Sequence, residues 1–73
     1  MQIKSPKDFG KLIKAKRKEQ ELTQVELAGL SDVGNRFLVE LEQGKPTIEI
    51  GKALHVLKML GVSLKPLEKN ETQ

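Results

Sequence analysis

Residues 22–44, LTQVELAGLSDVGNRFLVELEQG, contain two helix starts, two helix stops and one tight bend. Thr23 is a helix cap, and Glu26, three residues later, completes a capping box. Leu22 before the cap can touch Leu27 at the fourth helical position, a hydrophobic staple that sets the helix's approach angle. The spacing predicts a short helix over residues 24–30. Ser31-Asp32-Val33-Gly34 then breaks the helical period. Val33, apolar inside a polar turn, is expected to plug the core between two helices. Gly34 opens the next helix as an N-cap. Leu38 and Leu41 are its expected core pair, with Phe37 at the edge. Gly44 after Gln43 is a C-terminal stop.

The pattern extends both ways. Upstream, Ser5 caps, Pro6 takes the first helical position and Asp8 is the acidic half of a second capping box. A helix over residues 6–20 follows, with Phe9, Leu12 and Ile13 on its buried stripe. Lys7, Lys11, Lys14 and Lys18 take its outer face. Downstream, Lys45-Pro46 is a turn, and Thr47 is the expected cap of a fourth helix over residues 48–60. Ile50, Ala53, Leu54, Leu57 and Leu60 form its main stripe, while Ile48, Val56 and Met59 widen it beyond one face. Such a helix touches two neighbours, here the core and a second copy of the chain. Gly61 stops it. Residues 62–65 alternate like a short strand, and a lone strand is unstable unless it pairs. The dimer mate is the simplest partner, so Val56, Met59, Val62 and Leu64 are the expected dimerisation residues. The division is a domain over 5–61, a dimerisation strand over 62–67 and a flexible tail over 68–73.

Composition excludes much else. The 73 residues are 37% apolar, enough for one small core. A domain of this size buries only about 60% of its unfolded surface and is marginal alone. There is no cysteine to staple it, so self-association is the obvious remaining support. The apolar runs fall far short of the ~20 residues of a membrane span, and the N-terminus lacks a signal-peptide core. A cytoplasmic protein without membrane contact is expected. The chain has one histidine, His55, and no Cys, Trp or Tyr. Glu40 and Glu42, two apart on a helix, point different ways and cannot face each other as acid and base. No catalytic residue, metal set or cofactor is expected, which leaves binding. The net charge of +3 is unevenly spread: residues 1–18 hold seven Lys/Arg and one Asp, and residues 19–49 hold two Lys/Arg and seven Asp/Glu. A basic end favours an anionic partner.

Two short helices joined by a four-residue, Gly-containing turn form a helix-turn-helix pattern. Thr23-Gln24-x-x-Leu27-Ala28, then Val33, Leu38 and Leu41-Glu42-x-Gly44-Lys45, resembles the phage-repressor-like (Xre-type) helix-turn-helix proteins over about residues 6–61. Residues 36–45, followed by Leu54 to Leu64, resemble the HipB-type antitoxins, small autorepressors encoded beside HipA-type kinase toxins. The resemblance implies an all-α domain of four to five helices with a C-terminal strand paired across a dimer. It implies that Gln24 meets a phosphate, that Gly34, Asn35 and Arg36 face the major groove with Glu40, and that Lys45 touches the backbone. Arg17 and Glu42 match a structural ion pair. Arg36 can read guanine and Asn35 adenine, each contact being worth about 1–3 kcal/mol. Phe37 either packs at the core edge or touches a thymine methyl. Glu40 accepts from cytosine or orients Arg36 by i, i+4 pairing.

The function these readings imply is sequence-specific repression of transcription at a pseudo-palindromic operator, as the antitoxin of a HipA-type kinase operon. The alternatives are a protein-interaction module that inhibits a toxin kinase, with DNA binding secondary, and a free-standing phage-type repressor.

Overall fold

The computed structural model describes residues 3–64. Four helices follow in chain order: α1 Pro6–Glu19, α2 Gln24–Ser31, α3 Asn35–Gln43 and α4 Ile50–Met59. α1 packs chiefly on α3, and α2 packs on both α3 and α4. The core between them is Phe9, Ile13, Leu27, Ala28, Leu38, Leu41, Ala53, Val56, Leu57 and Leu60. Leu12, Leu22, Val33 and Phe37 pack against it half-buried.

The helix ends follow from local chemistry. Ser5 Oγ accepts from the Asp8 amide at 3.2 Å, and Pro6 sits at the first helical position, where its missing N–H has no intrahelical partner to lose. Asp8 reaches one residue further back than the capping-box expectation, accepting from the Lys4 amide at 3.0 Å. At α2 the box is complete. Thr23 Oγ1 accepts from the Glu26 amide at 3.0 Å, and Glu26 Oε1 accepts from the Thr23 amide at 2.8 Å. That backbone hydrogen bond, then the Thr23 side chain, hold the Glu26 carboxyl below its ordinary pKa. The lowered pKa makes this contribution to stability complete above the ordinary glutamate range, and it is lost as pH falls through the lowered value. Thr23→Ala should therefore cost about 1 kcal/mol at neutral pH and less in acid. Urea titrations of both proteins at pH 7 and at pH 3 check this; an equal gap at both would disconnect Glu26 from the cap.

The turns use left-handed backbone. Asp32 ends α2 at φ 54°, and Gly44 ends α3 at φ 81°. Gly44 is needed on two counts, because a Cβ there would also lie 2.6 Å from the Lys7 Cα.

The C-terminal third departs from the sequence expectation. α4 begins at Ile50 with Glu49 as its cap, not with Thr47, and no side chain caps it. The turn after Gly44 takes up Lys45 to Ile48, whose amide bonds back to the Lys45 carbonyl at 3.3 Å, so Thr47 lies within the turn. The buried stripe of α4 is Ala53, Val56, Leu57 and Leu60, at i, i+3, i+4, i+7. Val56 is 0% exposed and belongs to the core, so it is withdrawn from the dimerisation set. Ile50 and Leu54, expected inside, are 61% and 45% exposed. Residues 62–64 carry no strand in the single chain; the rest of the expected 62–67 strand, and the tail over 68–73, lie outside the described residues.

Candidate nucleic-acid interface

The site is built on α2 and α3, and its rigidity comes from behind. Arg17 on α1 and Glu42 on α3 form the expected ion pair: Glu42 Oε2 accepts from Arg17 Nε at 2.7 Å and Oε1 from Arg17 Nη2 at 3.1 Å. Arg17 Nη1 donates to the Leu22 carbonyl at 2.8 Å, just before the α2 cap. Gln24 Nε2 donates to Glu42 Oε1 at 3.0 Å. One buried carboxylate thus joins α1, the start of α2 and the end of α3. The expected phosphate contact of Gln24 is left with one amide hydrogen, since Glu42 takes the other.

Gly34 caps α3 with φ −71° and ψ 151°, a conformation open to any residue, and an added Cβ would meet nothing within 4 Å. It contributes open approach rather than a required fold. Asn35 and Arg36 follow, both exposed at the first turn of α3. Leu38 and Leu41 turn the opposite side of the helix into the core. Arg36, Val39, Glu40 and Gln43 lie at i, i+3, i+4, i+7 and make up the outward face. Val39 and Gln43 were missed by the sequence reading, although the same spacing counted from Arg36 would have found them. Gln43 adds a bidentate donor–acceptor group to that face.

Phe37 is turned away from this surface. It packs half-buried against the core, and Lys52 Nζ of α4 sits 5.9 Å from its ring centroid. Of its two expected roles, packing is the one the geometry holds. Glu40 Oε2 lies 3.6 Å from Arg36 Nε and 3.2 Å from Lys45 Nζ. Lys45, in the loop after α3, also donates its amide to the Glu40 carbonyl at 3.1 Å. Among the described residues no cluster of His, Cys, Asp and Glu could hold a metal ion, and no helix is long and apolar enough to cross a membrane.

A helix whose back is locked by a buried ion pair, whose cap is open and whose front carries Asn, Arg, Glu and Gln is suited to lie in a DNA major groove. The helix-turn-helix family described as HTH_3 matches residues 13–67. An uncharacterized HTH-type transcriptional regulator, y4mF of Sinorhizobium fredii (strain NBRC 101917 / NGR234), is 55% identical over 69 residues, 94% of this chain and 91% of that protein. Three solved structures, a HipB–O4 20mer complex, an MDT Protein and a HipA–HipB–O2–O3 complex, share the fold. Each aligns over 94% of this chain and 97% of the other with a TM-score of 0.84 at 20% identity.

Proposed function

The chain belongs to the helix-turn-helix family and is a DNA-binding transcriptional regulator of that type, and on that premise we propose that it is a sequence-specific repressor of its own operon. It acts as a two-fold dimer on a pseudo-palindromic operator, with the two α3 helices in major grooves about one turn, ~34 Å, apart. Occupancy of the operator blocks polymerase. A HipA-type kinase toxin is the proposed protein partner. The resemblance of residues 36–45 to HipB-type antitoxins supports that partnership, as does the fold shared with HipB.

The observation that carries the DNA reading is the outward α3 face. Arg36, with its side chain 91% exposed, presents the outer edge of its guanidinium to guanine O6 and N7, and Asn35 beside it suits adenine. Lys45 and the remaining amide hydrogen of Gln24 contact phosphates, which position the helix without reading sequence. Met59 at 43% and Leu64 at 48% exposure, with half-buried Val62, are the proposed dimerisation residues. The repressor works in the cytoplasm.

The test is a titration of the purified protein against labelled DNA from upstream of its own gene, beside a scrambled duplex, at two salt concentrations. Tight, selective binding is expected. Weak, equal and salt-sensitive binding to both duplexes would leave only electrostatic attraction and refute the reading. Arg36→Ala should cost about 1–3 kcal/mol of binding, confined to one base position, and leave the melting temperature unchanged because its side chain is so exposed. An equal loss on scrambled DNA would reduce Arg36 to a phosphate contact.

A further inference from the structure

We propose that Glu40 sets the discrimination between target and non-target DNA by holding Arg36 and Lys45 on one carboxylate, so that only a matching base edge engages Arg36 without pulling it off Glu40. This rests on the reading that α3 enters a DNA groove. Glu40 Oε2 lies 3.6 Å from Arg36 Nε and 3.2 Å from Lys45 Nζ. The two cations are 91% and 46% exposed at their side chains, and Glu40 between them only 26%. The acid is therefore the most enclosed of the three, and the cations stand further out in solvent.

The fold has little need of this arrangement. Exposed ion pairs add little to stability, and arginine four residues before glutamate is the weaker order on a helix. For plain DNA affinity the acid is a handicap, because it cancels positive charge on a surface meant to meet phosphates. Its effect is selective. Against a non-matching site, Arg36 can leave Glu40 only to exchange one anion for another, and once Lys45 also turns to a phosphate the carboxylate is left uncompensated beside the DNA. Against guanine, the outer edge of the guanidinium can donate to O6 and N7 while Nε stays with Glu40. The same carboxylate then orients the reading group. A repulsive element that penalises wrong partners more than the right one is a general route to specificity. Glu40 is a positioning residue in this scheme and need not touch a base.

The experiment starts from duplexes that the full-length wild-type chain selects from a randomised pool. Affinities for the selected duplex and for a scrambled version of it are measured at several salt concentrations. Wild type is compared with Glu40→Gln, Glu40→Asp, Arg36→Ala and the Arg36→Ala/Glu40→Gln double variant. Glu40→Gln should bind scrambled DNA about tenfold tighter, with a log–log salt slope steeper by about one, and gain little on the selected duplex. Its specificity ratio then falls about tenfold, a part of the discrimination one good base contact supplies. Glu40→Asp keeps the charge but shortens the reach, so scrambled affinity stays low while the ratio still falls. In the Arg36→Ala background, Glu40→Gln should leave the ratio unchanged. A ratio as high in Glu40→Gln as in wild type, on duplexes that share a clear consensus, would overturn the role of Glu40 and leave the DNA reading intact. A wild-type selection that yields no consensus would overturn both.

Discussion

Glu42→Ala is expected to lower folding stability by about 3–5 kcal/mol. The Glu42 side chain is 3% exposed and that of its partner Arg17 10%. Glu42 accepts three hydrogen bonds, two from Arg17 and one from Gln24. Truncation leaves a guanidinium held inside the protein with the Leu22 carbonyl as its remaining acceptor. An unpaired charge in that position is worse than no charge at all. It follows that Arg17→Met/Glu42→Leu together should cost far less than either truncation alone, because no orphaned charge remains. Native domains have only about 5–15 kcal/mol in reserve, and a chain this short sits at the low end. The single variant is thus expected to be largely unfolded at physiological temperature. Urea unfolding of the wild type, both single variants and the pair decides it. A loss below about 1 kcal/mol for Glu42→Ala would mean that water reaches the guanidinium and that the pair behaves like an exposed one. DNA binding should fall with stability, since the carboxylate joins the three helices that aim α3.

Gly10→Ala is the second large effect, and its sign runs against helix propensity. Alanine is favoured over glycine inside a helix by about 1 kcal/mol. At Gly10, however, the new Cβ would stand 2.5 Å from the Leu41 carbonyl oxygen and 2.6 Å from that of Glu42. Both obstacles are backbone, so no rotamer change relieves them. α1 must lift away from α3, at a cost of about 1–3 kcal/mol or more for overpacking. The displacement also stretches the Arg17–Glu42 pair two turns along α1. The net expectation is a loss of about 2 kcal/mol. Gly29→Ala is the internal control, being in a helix with nothing within 4 Å of the added Cβ. It should raise stability by about 0.5–1 kcal/mol. Thermal melts of the two variants should move in opposite directions. If both rise, α1 and α3 can separate without penalty and the close crossing is not a constraint.

The two variants also mark the boundary of what could be read in advance. Gly10 was not singled out by sequence, because a glycine inside a helix has no local signature that distinguishes close approach from tolerance. Gly29 and Gly10 look alike in the chain and differ only in what lies opposite. α4 shows the same ambiguity. Residues 50, 53, 54, 57 and 60 fit one helical stripe, and residues 53, 56, 57 and 60 fit another, rotated toward Val56. Periodicity accepts both. Packing against α2 chose the second, buried Val56 and left Ile50 and Leu54 outside.

Placement along the chain was more legible. Asn35 and Arg36 are exposed at the start of α3, and Lys45 lies in the loop after it, the positions the sequence reading gave them. Val39 and Gln43 were within reach of the period counted from Arg36. Phe37 stayed undecided, because a residue at a stripe edge goes wherever the neighbouring helix leaves space. Thr47 misled because a cap is defined by where the chain leaves the helix, and the turn after Gly44 delays that point to Glu49.

Sequence by itself determined the features whose energetics are local. These are the two capping motifs, the Gly44 stop, the bend between α2 and α3, and the stripe positions Phe9 and Ile13 on α1 and Leu38 and Leu41 on α3. Each depends on residues within about one or two helical turns, so the pattern is written contiguously. Tertiary structure alone decided the face α4 buries, the helix crossing at Gly10 and the direction of Phe37. Those outcomes depend on which atoms arrive from distant parts of the chain, and dense packing allows only one arrangement of them at each position.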